Sequence, residues 1–98
     1  WLGPCIGPSA FEVGEDVLIG FGVDPSQSHA QFIAMPSTGG AKRWLADLPA
    51  LARGRLSRLG VRQIAGGEWC TVSNASRFFS YRRDRVTGRQ AACIWLLA

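Results

Sequence analysis

Apolar and polar positions alternate in short, differently paced stretches along this chain, and that pacing predicts a small number of elements. Trp1-Leu2 ends a strand and runs into Gly3-Pro4-Cys5-Ile6-Gly7-Pro8-Ser9, where two prolines fix some dihedrals and two glycines permit others, a rigid loop without regular structure. Phe11-Glu12-Val13 reads as a short extended segment. A helix follows from Gly14-Glu15-Asp16, with acids in the first turn where the dipole favours them, an apolar face of Val17, Leu18 and Phe21, and a stop at Gly22. Val23 to His29 is a surface loop, Phe32 to Met35 a short apolar stretch, and Pro36-Ser37-Thr38-Gly39-Gly40 a segment expected to be disordered.

The clearest helix comes next. Asp47 is placed to cap it, Pro49 falls in the first turn where its missing N–H costs little, and Leu48, Leu51, Ala52, Leu56 and Leu59 recur at helical spacing up to Gly60. Arg53, Arg55 and Arg58 lie off that stripe, so the helix is expected to cover a sheet. Val61 to Ile64 alternates as a strand does, and Trp69 to Val72 is another extended segment, followed by a polar turn at Ser73 to Ser76. Phe78 to Arg83 and Gln90 to Leu97 are expected as two extended runs joined through Asp84 to Arg89 with a turn at Thr87-Gly88. The last run, Ala91 to Leu97, is apolar on both faces and is expected to be a strand covered on each side. Helices following and covering strands give an α+β class: a layered mixed β-sheet packed by helices, here as the C-terminal part of a larger single domain.

Composition sharpens this picture. Of 98 residues 47% are hydrophobic and 18% charged, the balance of a folded protein. The chain opens on Trp1 in mid-pattern and is expected to be a piece of a longer protein. No charged-then-apolar leader opens it, and the apolar run Ala91 to Ala98 is too short to cross a bilayer, so a protein with no membrane partner is expected. Cys5, Cys70 and Cys93 are odd in number, widely spaced and without a CxxC pair, which argues against a disulfide framework or a structural zinc site and favours a reducing cytoplasm. Asn74-Ala75-Ser76 fits a glycosylation sequon but reads as an ordinary turn.

The net charge of +4 is unevenly spread. Residues 1 to 41 hold four acids and no Lys or Arg; Lys42, Arg43, Arg53, Arg55, Arg58 and Arg62 face only Asp47; and Arg77, Arg82, Arg83, Arg85 and Arg89 face only Asp84. Two basic blocks suit an anionic partner, and they equally suit solvated helix faces.

Chemistry is sparse. His29 sits in a Pro/Ser/Gln loop with no ligand-spaced Cys, Asp or Glu, no Ser or Cys has a histidine beside it, and no phosphate-loop glycine fingerprint is present. Cys5 and Cys70 read as small buried hydrophobes. What remains is Phe78-Phe79-Ser80-Tyr81-Arg82-Arg83-Asp84 with Gly88-Arg89, where aromatic faces suit stacking on bases and guanidinium forks suit phosphate. If the segment is extended, Ser80, Arg82 and Asp84 share one face and Phe79, Tyr81 and Arg83 the other. One arginine would then enter a pocket while its neighbour pairs with Asp84 or Glu12; a structural salt bridge and an anion site stay open as alternatives. The Gly3 to Gly7 loop could offer backbone N–H groups to an anion.

Trp1 to Pro8 followed by Phe11-Glu12-Val13-Gly14, Gly66-Gly67 through Cys70-Thr71, Phe79 to Asp84 with Thr87-Gly88-Arg89, and Ile94-Trp95-Leu96 together resemble the laccase-domain family. That family is also called multicopper-polyphenol-oxidase-like or purine nucleoside phosphorylase-like and includes the bacterial peptidoglycan editing factor. The resemblance runs the length of the chain and implies that residues 1–98 are the C-terminal half of the fold. It implies a cytoplasmic enzyme that cleaves adenosine, inosine and methylthioadenosine with phosphate and can deaminate adenosine. It also implies zinc, or copper in the older oxidase reading, held by two His and one Cys of an N-terminal half that this chain lacks; no residue here matches those ligands. The implied partners are a purine nucleoside, phosphate and the missing half, with no nucleic acid. The substrate-binding residues it suggests are Arg82, Arg83, Tyr81, Ser80, Phe11, Glu12 and Gly7, with phosphate at Arg82 or Arg83, the nucleoside near Phe11 and Tyr81, and no catalytic residue in this chain. The alternative is a small basic module binding RNA or another polyanion through its arginine blocks, with Phe79 and Tyr81 stacking on bases.

Overall fold

The computed structural model describes residues 1–36 and 39–97; Ser37 and Thr38, the middle of the stretch expected to be disordered, lie outside the described residues. Three short strands, β1 (Glu12–Val13), β2 (Phe32–Ala34) and β3 (Trp44–Ala46), form an antiparallel sheet in the order β1-β3-β2. Val13 faces Trp44 across one ladder, and Phe32 faces Ala46 across the other. The central strand β3 was not expected. Its three residues are all apolar and lie between Lys42-Arg43 and Asp47, too few to display a period of two.

Helix α1 (Glu15–Gly20) and helix α2 (Leu48–Arg58) stand where the sequence places them. Asp47 caps α2 by accepting a hydrogen bond at Oδ1 from the Ala50 N–H at 3.0 Å, and Gly60 beyond it takes a φ of 90°, available at little cost only to glycine. Val13, Leu18, Phe32, Trp44 and Ala46 are buried together, and Phe11, Val17, Phe21, Val23 and Leu51 pack against them. Hydrophobic burial, the main driving force of folding, is therefore concentrated between residues 11 and 51. Leu59 drops out of the expected stripe: it caps α2 past the sheet and is 80% exposed.

The second half of the chain departs further from expectation. Val61 to Ile64 joins no ladder. Instead the chain returns to its own beginning: Leu2 N–H donates to Ala65 O at 2.8 Å, Gly67 N–H to Leu2 O at 3.0 Å, and the parallel bridges Leu2↔Gly66 and Cys5↔Cys70 lay the 65–71 segment along the opening loop. Parallel pairing thus enters as isolated bridges beside an antiparallel sheet, within the α+β class. Gly66 makes this approach possible, with φ at 88° and a Cβ that would stand 2.2 Å from Leu2 O.

The run from Phe78 to Arg83 is not a strand. Ser80 Oγ accepts from Arg83 N–H at 3.2 Å and caps a single helical turn, α3 (Tyr81–Asp84). A local cap outweighs the apparent alternation here because, among the described residues, no strand offers this segment a ladder. The expected pairing of Phe78–Arg83 with Gln90–Leu97 reduces to Phe79 N–H donating to Gln90 Oε1 at 3.0 Å and to Gly88 lying under the Phe79 ring. Residues 90–97 join no ladder and nothing described covers them: Ile94 and Leu96 are each 97% exposed. The apolar pattern is there, but none of the described elements packs on it.

Candidate functional site

The opening loop and the 79–90 segment meet at an open cleft of about 470 Å³. Pro4, Cys5, Ile6 and Phe11 form one wall, Phe79 to Arg82 with Gly88 to Gln90 the other, and Leu48 and Thr71 complete it. Each wall is positioned by an interaction already described: the Cys5↔Cys70 bridge fixes the loop, and the Ser80 cap turns Tyr81 and Arg82 toward it. Ser80 itself is buried, and it anchors the helical turn as well as lining the cleft.

The two adjacent arginines separate. Arg82 Nη1–H donates to the backbone oxygen of Glu12 at 2.9 Å, and its guanidinium lies 5.4 Å from the centre of the Phe11 ring, forming a ridge at the cleft edge. Arg83 points away. Its Nη1–H donates to Thr71 O at 2.8 Å and Val72 O at 3.1 Å, its Nη2–H to Phe78 O at 2.9 Å, and it pairs with Asp84 at 2.7 Å. This pairing raises the Arg83 pKa and lowers that of Asp84 through the side-chain hydrogen bond they share. The guanidinium fork is fully used in tying the 71–72 turn to α3. Of the two alternatives left open by the sequence, Arg83 takes the structural one, and the expected sharing of a face by Phe79, Tyr81 and Arg83 does not occur.

Among the other residues singled out, Phe11, Tyr81 and Ser80 line the cleft, whereas Glu12 and Gly7 do not. Glu12 faces an adjoining hollow shared with Arg82 and Arg85, and its carboxylate stands 3.4 Å from Arg43, not from an arginine of α3. Gly7 is buried, and its N–H donates to Cys70 Sγ at 3.2 Å instead of facing an anion. Arg89, which the substrate-binding set omitted, does line the cleft and lies 5.6 Å from the Tyr81 ring, with Arg85 5.9 Å from the same ring. The signal for Arg89 was its place after Thr87-Gly88; only the fold of the segment back onto Phe79 reveals that it faces the cleft.

Cys5 and Cys70, expected as small buried hydrophobes, are both only partly buried. At Cys70 burial pushes the thiol up, but hydrogen bonds from Ser73, Gly7 and Val72 outweigh that and bring its pKa down to about 7. Cys5, by contrast, is pushed up by burial and by the neighbouring charge of Cys70. His29 Nδ1 accepts from Gln31 N–H at 3.2 Å, and among the described residues no three His, Cys, Asp or Glu side chains converge as a metal site would need. The described side chains do not by themselves assemble a metal site.

The family model described as multi-copper polyphenol oxidoreductase laccase matches residues 1–97, and the chain belongs to that family. It is 48% identical over 97 residues to the purine nucleoside phosphorylase of Escherichia coli (strain K12), covering 99% of this chain and 38% of that protein. A purine nucleoside phosphorylase of Pseudomonas aeruginosa is 45% identical over 96 residues, again across 38% of its length. The crystal structure of a Neisseria meningitidis protein superposes with a TM-score of 0.68 at 45% identity, covering 84% of this chain and 32% of that one. The chain thus spans well under half the length of these relatives and corresponds to part of a larger domain.

Proposed function

We propose that this chain is one wall of the nucleoside site of a purine nucleoside phosphorylase, the C-terminal half of a protein whose N-terminal half completes the pocket. The observation that carries the reading is the cleft in which Phe11, Tyr81, Arg82 and Arg89 converge from segments some seventy residues apart in sequence. Phosphorolysis transfers a ribosyl carbon from the purine nitrogen to a phosphate oxygen, so the site needs a flat apolar face for the base and fixed positive charge for the oxyanion. Tyr81 and Phe11 supply the face; Arg82 and Arg89, each already lying over an aromatic ring, supply the charge. Names carried by relatives at 48% and 45% identity support this substrate class. Adenosine, inosine and methylthioadenosine are the proposed substrates, with adenosine deamination as a second activity, in the cytoplasm.

The resemblance implies zinc or copper in the full-length protein, with ligands outside this chain. No step here is routed through it. The polyanion-binding alternative draws less support, because Arg53 donates to Gly66 O, Arg58 to Gly54 O, and Arg55 lies over Phe21, which ties the first basic block to the protein itself. The test is phosphate-dependent release of hypoxanthine from inosine by the full-length protein. Arg82→Ala and Arg89→Ala are expected to lower kcat/KM by about tenfold or more, equivalent to at least about 1.4 kcal/mol of lost transition-state stabilisation. Wild-type rates in both variants would remove the proposal.

A further inference from the structure

The geometry points to a reversible oxidation site in which Cys5 and Cys70 close an intramolecular disulfide beneath the cleft. This inference stands apart from the nucleoside reading. The two residues face each other directly across a parallel bridge, held by Thr71 N–H donating to Cys5 O at 3.0 Å. Adjacent strands lie about 4.8 Å apart, inside the roughly 4.4–6.8 Å between Cα atoms that a disulfide requires. Paired residues on parallel strands send their Cβ atoms to the same side, so the two side chains start from one face of the bridge. The Cys70 side chain already leans toward the opening loop, where the Gly7 N–H donates to its Sγ at 3.2 Å. Gly7 is crowded against it: a Cβ there would stand 3.0 Å from Cys70 Cβ.

The two thiols also differ in the way a stepwise oxidation needs. Cys70, held toward the thiolate by its hydrogen bonds, is the group that reacts first, and Cys5, pushed up by burial and by Cys70, is the resolving partner. With hydrogen peroxide as oxidant, the Cys70 thiolate attacks one peroxide oxygen, the O–O bond breaks, and hydroxide leaves, taking a proton to become water; Cys70 is now a sulfenic acid. Cys5 sulfur then attacks Cys70 sulfur, the S–O bond breaks, and the departing hydroxide takes the Cys5 proton as a second water. Two thiols and one peroxide become one disulfide and two waters. Cys5 lines the cleft and both cysteines are only partly buried, so both are within reach of a small oxidant. The bond would lock the opening loop to the turn whose carbonyls, Thr71 O and Val72 O, hold Arg83.

The test is peptide mapping of the full-length protein after a brief exposure to hydrogen peroxide and alkylation of remaining thiols. The expected product is a peptide pair joining Cys5 to Cys70, two hydrogens lighter than the sum of its parts and separated by dithiothreitol. Cys5→Ser is expected to leave Cys70 as a sulfenic acid trapped by dimedone, and Cys93→Ser to preserve the cross-link. Wild-type protein in which both sulfurs remain alkylatable, or in which Cys70 is found joined to Cys93 or to a second chain, would overturn the assignment without reference to any variant.

Discussion

Arg82 and Arg83 share a side-chain type and adjoin in sequence, and their surroundings give them different work. Arg83 donates to three backbone carbonyls and a carboxylate, interactions that hold two segments together, while Arg82 makes one such bond and rests on an aromatic ring. Hydrogen bonds from a charged donor are worth about 1.5–3 kcal/mol each when sheltered and less when wet. Arg83→Ala is therefore expected to lower the midpoint of urea unfolding of the full-length protein, and by more than Arg82→Ala does. Arg83→Lys should not restore the loss, since an ammonium cannot reproduce the planar fork. Gly66→Ala should cost about 3 kcal/mol or more, because a positive φ and the Leu2 carbonyl oppose the new methyl together. Cys70 makes a pH prediction. Its folded pKa, about 7, lies below the ordinary thiol value of 9.0, so its contribution to stability is fully present above that value and is lost as pH falls through about 7. The rate of Cys70 alkylation by iodoacetamide should rise with a midpoint near 7; a midpoint near 9 would contradict the hydrogen-bonding described.

At the scale of elements, the sequence discloses those that carry their own punctuation. Helix α2 is legible because Asp47, Pro49 and Gly60 mark its ends and leucines repeat between them. Asp47→Ala should lower stability by about 1 kcal/mol, measured by urea unfolding followed at 222 nm. Strand β3 is hidden because Trp44-Leu45-Ala46 has no polar member to set a rhythm, and its identity depends on the two strands that flank it. The turn α3 is misread for the opposite reason: aromatic, hydroxyl and arginine residues imitate alternation, while the deciding contact is one serine hydroxyl. The same limits apply to the cleft. Phe11, Ser80, Tyr81 and Arg82 were identifiable as chemically capable residues, whereas the diversion of Arg83 and the inclusion of Arg89 follow from backbone turns that no spacing rule expresses.

Across the whole molecule, burial and charge are divided. The buried hydrophobic core lies between residues 11 and 51, and among the described residues outside it only Gly7 and Ser80 are buried. Residues 65–90 are held chiefly by hydrogen bonds to the opening loop and to one another. Trp95, Leu96 and Leu97 stand exposed at 73%, 97% and 90%, a contiguous apolar segment of the kind that ordinarily meets a partner. The chain spans 38% of the length of its Escherichia coli relative, and under the proposed function the part of the protein that completes the pocket is the expected partner of this segment. Amide hydrogen exchange of residues 90–97 should consequently be slow in the full-length protein and fast in the isolated chain; equally fast exchange in both would exclude that docking.

The most direct measurement is a crystal structure of the full-length protein with inosine and sulfate, an unreactive stand-in for phosphate. The purine is expected against Tyr81 and Phe11, with the oxyanion within hydrogen-bonding distance of Arg82 or Arg89. Fully occupied nucleoside elsewhere, with the cleft between residues 4–11 and 79–90 filled only by water, would contradict it.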